Sequence, residues 1–222
     1  MSSTPEGKQS LDGTSFTFNV LILAAVISVF LLVTVGVTVR VTESGLGCPD
    51  WPLCHGKLIP PFEYHTILEY SHRLVASLVG FLVALSAFWG WLRHRDRNLI
   101  VRPLFIAVIL VVVAALLGRA AVLSELSPNI VTLHLAIAET IFALLIISAA
   151  SVWPRNLGNA MIENERGRIK LLLLAQVSAI SVYIILLSGS YVVNQGATAA
   201  CTSWPLCGGV SGGVIPGTGL EW

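Results

Sequence analysis

Only 11% of the 222 residues in this chain are Asp, Glu, Lys or Arg, against 55% hydrophobic. In such a sequence the ionisable exceptions carry the information, because a charged group inside a membrane helix is costly unless paired or functional. They gather in two places. Glu69-Tyr70-Ser71-His72-Arg73 opens one long apolar segment; His134 opens another, with Glu139 about one turn deeper. Glu69 and His72 stand at i, i+3 and share a helix face. His72 and His134 lie at similar depth from the same end of their segments. Two neutral imidazoles at matched depth on separate helices can ligate a heme iron from both faces. Arg73, beside them, suits a propionate carboxylate. Small residues at Ala76, Ser77, Gly80, Ala136 and Ala138 offer room for a planar slot. Plainer readings stand beside these. Glu69 can pair with Arg73 at i, i+4, each histidine can be a hydrogen-bonded structural residue, and Glu139 can be a satisfied interhelical carboxyl.

Four cysteines form the second constellation. Cys48, Trp51, Pro52, Leu53, Cys54 and Gly56 recur as Cys201, Trp204, Pro205, Leu206, Cys207 and Gly209, both reading C-x-x-W-P-L-C-x-G at an offset of 153 residues. Gly36 and Gly189, and Val39 and Val192, keep the same register. So specific a string is not repeated by chance, and the chain is read as a duplicated unit. The same offset takes Glu69 to position 222 and His72 past it. The second unit is therefore expected to supply its first helix and Cys loop and to be cut short there, leaving one His pair. Each Cys pair is spaced for an intraloop bridge, Cys48–Cys54 and Cys201–Cys207. A redox-active dithiol is the competing chemistry. Metal binding has only His55 as a nearby extra ligand.

The elements that position these residues are five apolar segments, 18–39, 66–92, 99–123, 130–153 and 171–193, each long enough for a bilayer core of about 30 Å. The first is too long for a signal-peptide core and is read as a retained helix. Pro60-Pro61 places the second helix start after them, and Pro128 suits the start of the fourth. The expected fold is an all-α polytopic bundle. A disordered cytoplasmic tail covers 1–17, a four-helix unit 18–155, a cytoplasmic linker 156–170, and the first helix and Cys loop of the second unit 171–222. Trp89 and Trp91 read as interfacial belt residues. Arg93, Arg95, Arg97 and Arg102 follow the second span, and Arg155, Arg166, Arg168 and Lys170 the fourth, which puts the N-terminus inside and both Cys loops outside. The formal net charge of +1 gives no reason to expect nucleic acid as a partner.

The strings from Arg40 through Gly45 and Gly47 to Cys54, Glu69-Tyr70-Ser71-His72-Arg73 and Thr132-Leu133-His134-Leu135, with the second Cys loop, resemble the heme A synthase family over about 18–209. That family has two four-helix halves related by pseudo-symmetry, each with a His pair, and oxidises a methyl group of heme O to a formyl group. The resemblance implies that His72 and His134 flank the substrate heme and its iron. It also implies that Glu69 is the catalytic carboxylate, that the loop cysteines form disulfides, and that a heme b cofactor belongs to the C-terminal half. It further implies a bacterial plasma membrane or mitochondrial inner membrane location, with heme O, the bilayer, and heme O synthase or a second copy of the chain as partners. Two other functions fit the residues: a bis-histidine cytochrome, which needs the histidines but not Glu69, and a membrane thiol oxidoreductase, which needs the cysteines but neither histidine.

The arginine asymmetry yields a direct expectation. After reduction, a membrane-impermeant thiol reagent added to intact cells should label the loop cysteines. Absence of labelling at both loops would reverse the assigned topology.

Overall fold

The computed structural model describes residues 13–152 and 165–197. Five α-helices make up the fold among these residues: α1 (Gly13–Val41), α2 (Tyr64–His94), α3 (Asn98–Leu123), α4 (Pro128–Val152) and α5 (Glu165–Asn194). Each is long and apolar enough to cross a bilayer. Two helices begin earlier than composition suggests. α1 already occupies 13–17 of the expected polar tail, and α5 takes in 165–170 of the expected linker. Helical hydrogen bonding carries on past an apolar stretch into polar sequence until a breaker intervenes. Residues 1–12, most of the linker, and Cys201 and Cys207 lie outside the described residues.

The duplication is visible in how the first helix of each unit ends. In α1, Glu43 adopts a left-handed φ of 55° and the Ser44 N–H donates to Val39 O at 2.9 Å. In α5, Gly196 takes φ 70° and the Ala197 N–H donates to Val192 O at 3.1 Å. Both are helix stops in which a left-handed residue turns the chain and satisfies a carbonyl of the last turn. Glu43 and Gly196 stand in the 153-residue register.

The first four helices form a bundle in which sequence neighbours pack together and α4 returns to α1. The diagonal pairs, α1 with α3 and α2 with α4, do not meet. Buried apolar residues recur at helical spacing on each inner face: Phe18, Ile22, Ala25 and Val29 on α1, Val79, Val83 and Ala87 on α2, Ile100, Leu104 and Ala107 on α3, Ile141 and Leu145 on α4. Lipid is as apolar as these side chains, so close packing and buried hydrogen bonds hold the helices together. One such bond runs from Ser148 Oγ to Ile100 O at 3.1 Å. Trp91 is half exposed, as an interfacial residue would be. Trp89 instead packs against the core, with its Nε1 buried. It stands three residues from buried Ser86 and so shares the inward face.

α5 packs along α4 and is held by polar contacts to α4 and to Arg40 at the end of α1. The Tyr183 hydroxyl donates to Ala136 O at 3.2 Å. Asn194 donates to Thr132 Oγ1 at 3.1 Å and accepts from Arg40 Nε at 2.8 Å. Its apolar side chains remain exposed around most of its circumference.

Two glycines separate tight packing from open space. A Cβ at Gly90 would meet Leu104 at 3.0 Å and Phe18 at 3.4 Å, whereas one at Gly189 would meet nothing within 4 Å. Gly90→Val should therefore destabilise the bundle by about 1–3 kcal/mol, the usual cost of overpacking. Gly189→Val should leave it unchanged, with thermal unfolding of the detergent-solubilised chain as the readout.

Candidate functional site

The site lies at one end of the bundle, beneath the 42–63 loop that joins α1 to α2. Arg73 organises that loop. Its NH1 donates to Asp50 O at 2.6 Å and Leu53 O at 2.9 Å, and its NH2 to Cys48 O at 3.0 Å and to Glu69 Oε1. Glu69 is 3% exposed and accepts a second hydrogen bond, from the Cys48 N–H to Oε2 at 2.8 Å. The i, i+4 pair is thus formed, and both partners reach into the loop as well. Arg73, expected to meet a ligand carboxylate, here gives NH1 and NH2 to protein acceptors.

The rest of the loop is fixed just as locally. Cys48 and Cys54 are joined through their sulfurs, with Cα atoms 4.8 Å apart, and both are fully buried. Asp50 caps the turn after Cys54 by accepting the N–H groups of His55 at 2.6 Å and Gly56 at 2.7 Å. Those donors, with Gly56 foremost, hold the Asp50 carboxyl below its ordinary range. The stabilisation it lends is present at neutral pH and is lost as the pH falls through that lowered value. His55 Nε2 donates to Gly47 O at 3.1 Å, which also accepts from Thr66 Oγ1 at 3.0 Å. Gly47 has no room for a side chain, since a Cβ there would lie 2.4 Å from His65 O. Ser44 is fully buried, with its Oγ 2.9 Å from His65 Nδ1.

Below this lid, His72 projects from α2 and His134 from α4, the two diagonal helices that do not touch. Each ring lies against a glycine of an intervening helix. A Cβ on Gly36 of α1 would sit 3.1 Å from His72 Cε1, and one on Gly118 of α3 would sit 3.5 Å from His134 Cε1. His134 Nδ1 lies 2.9 Å from Ala114 O. A carbonyl only accepts, so Nδ1 carries the proton and Nε2 keeps its lone pair. His72 Nδ1 is buried and has no hydrogen-bond partner among the described residues.

Two imidazoles on diagonal helices of one bundle suit a metal whose remaining ligands come from elsewhere. Among the described residues no three His, Cys, Asp or Glu side chains converge as a metal set. A porphyrin supplies four equatorial nitrogens and needs only two axial ligands. The paired histidines fit that requirement, and one of them already holds the tautomer it demands.

Sequence reasoning placed the room for a ligand at small residues of α2 and α4. In the structure Gly36 and Gly118, on α1 and α3, make space that the two imidazole rings themselves take up. Ser77 is exposed and bonds back to Arg73 O, Gly80 packs against Val111, and Ala136 lies under Tyr183. The 153-residue register had singled out Gly36 but not its neighbour. Glu139 does not join the site. It stands about 140° around α4 from His134 at 3.6 residues per turn, and its buried Oε2 has no partner among the described residues.

Comparison with known proteins bears on this geometry. The family described as cytochrome oxidase assembly protein matches residues 19–65 and 61–218. The chain is similar to proteins named heme A synthase. It is 34% identical over 185 residues to that of an Exiguobacterium species, covering 82% of this chain and 59% of the relative. It is 35% identical over 182 residues to that of Exiguobacterium sibiricum, covering 81% and 60%. It is 33% identical over 193 residues to that of Alkalihalophilus pseudofirmus, covering 86% and 63%. The chain thus spans about three fifths of the length of these curated relatives.

The Glu69–Arg73 contact gives a quantitative expectation. Removing one partner of a buried pair leaves an uncompensated charge and costs about 3–5 kcal/mol. Arg73→Met alone should lower the unfolding midpoint of the solubilised chain more than the double change Glu69→Gln/Arg73→Met. Equal losses in both variants would show that the ion pair itself contributes nothing beyond the loop contacts.

Proposed function

Because the chain belongs to the cytochrome oxidase assembly protein family, which includes the heme A synthases, we propose that it is an oxidoreductase of heme A synthesis. In this reading it holds heme O between His72 and His134 and converts a methyl group to a formyl group. The observation that carries it is the opposed histidine pair on diagonal helices, each ring seated on a glycine of an intervening helix. Oxidising a ring methyl to a formyl removes four electrons and four protons and takes the oxygen from water. The porphyrin iron would relay those electrons to an oxidant outside this chain; the residues of this chain supply position, orientation and a carboxylate.

His72 and His134 fix the substrate from its two faces. Ala114 O holds the His134 ring in the tautomer that leaves Nε2 available. We assign Glu69, one turn from His72 on the same helix, as the carboxylate that acts at the reacting carbon. It serves by stabilising positive charge there or by capturing the carbon as an ester before water attacks. Arg73 and the Cys48 N–H orient it and leave lone pairs on both oxygens unused. Arg73 acts as a positioning residue that ties Glu69 to the lid. The buried Cys48–Cys54 link supports the lid from above, with the loop end facing away from the cytoplasm.

Heme titrated into the purified 222-residue chain should give a six-coordinate, low-spin spectrum with one heme per chain. His72→Ala and His134→Ala should each abolish that spectrum. Glu69→Gln should retain it while losing formyl production from heme O. An intact low-spin spectrum in His134→Ala would remove the basis of the assignment. Full formyl production by Glu69→Gln would remove Glu69 from the chemistry and leave it as the partner of Arg73.

A further inference from the structure

A heme carries two propionates, and an ionised carboxylate within a membrane protein requires a partner. The cations around the lid differ in what they have left to give. Arg73 donates from NH1 and NH2 to three loop carbonyls and Glu69. Arg40 donates to Asn194 and to Val193 O. Arg119 is exposed, and among the described residues no hydrogen-bond acceptor sits on its guanidinium. Its one contact is with an aromatic face: Cζ lies 5.8 Å from the centre of the Trp51 ring. A guanidinium stacked on indole uses its face and leaves the N–H fork at its edge free, and that fork matches a carboxylate in bidentate fashion.

The placement is equally specific. A planar ligand held between α2 and α4 lies across their diagonal and turns its edges toward α1 and α3. Arg119 directly follows Gly118, the α3 residue that backs His134, and stands in the last turns of α3 at the lid end. Trp51 belongs to the loop that Arg73 pins through Asp50 O and Leu53 O, so the stacking surface is itself held in place.

We propose that Arg119, steered by Trp51, is the binding residue that receives a propionate of the heme substrate. This rests on the reading of His72 and His134 as the heme site. It assigns Arg119 to recognition of the ligand's carboxylates and gives it no part in the oxidation.

The test compares iron protoporphyrin IX with its dimethyl ester, titrated into the full chain in detergent and followed by the low-spin spectrum. The wild-type chain should favour the diacid by on the order of tenfold, the size expected of a charge-assisted pair. Arg119→Ala should bring the preference close to one while leaving ester affinity unchanged, which also shows that the variant is folded. Arg119→Lys should retain part of the preference, and Lys57→Ala, in the exposed hairpin, all of it. An undiminished preference in Arg119→Ala would overturn the proposal, as would equal weakening of diacid and ester, the mark of a purely structural stack. A wild-type chain that binds both forms equally would overturn it while leaving the heme site standing. A wild-type chain that binds neither would overturn both.

Discussion

The four-point grip of the Arg73 guanidinium on its surroundings, formed by three loop carbonyls and the Glu69 carboxylate, is the constraint on which the loop end of this protein depends. The 42–63 loop has only one isolated backbone bridge, between Cys54 and Lys57, and no sheet. Its order comes from side chains that reach up from α2. Arg73 gathers the carbonyls of Cys48, Asp50 and Leu53, Glu69 receives the Cys48 N–H, and Tyr70 bonds Leu58 O. One turn of helix thereby organises loop residues 20 to 25 positions away in sequence. The same turn carries His72, so lid and site share a rigid support.

This arrangement reconciles two uses of Glu69 that look exclusive in the sequence. A carboxylate paired with Arg73 seems removed from chemistry, and a catalytic carboxylate seems to need freedom. In the structure it is paired and buried, with one donor on each oxygen and a lone pair left on each, which is compatible with the catalytic role proposed above. Orientation by neighbours is what a reacting group in a low-dielectric site requires, since reorganisation there is costly. In an integral multi-pass membrane protein water offers no substitute, and every polar group must be met from within.

Much of this was legible beforehand. The five segments follow from runs of apolar residues, which bilayer thickness makes unambiguous. The histidines stand out because little else in their helices is ionisable. The duplication follows from the Cys-loop string, and the matching helix stops at Glu43 and Gly196 give it a backbone expression. What periodicity does not encode is adjacency between helices. The sequence could not say that α2 and α4 stand diagonally, so it did not show that the histidine rings would seat on Gly36 and Gly118 of α1 and α3. Trp89 misled for a related reason: its depth near a helix end suggested the interface, while its angle turned it toward the core. Arg73 was read from its neighbour His72, whereas its length lets it reach the loop above.

The diagonal placement of the two histidines also governs the order in which the protein can be completed. A site between adjacent helices exists as soon as a hairpin has formed. Here α1, α2 and α3 can enter the membrane and pack, and His72 still faces no partner. Only when α4 closes the square against α1 does the second imidazole arrive, and α4 then offers Thr132, two residues before His134, to Asn194 on α5. On the heme reading proposed above, a chain halted during synthesis before α4 would hold only one of the two imidazoles that the porphyrin needs.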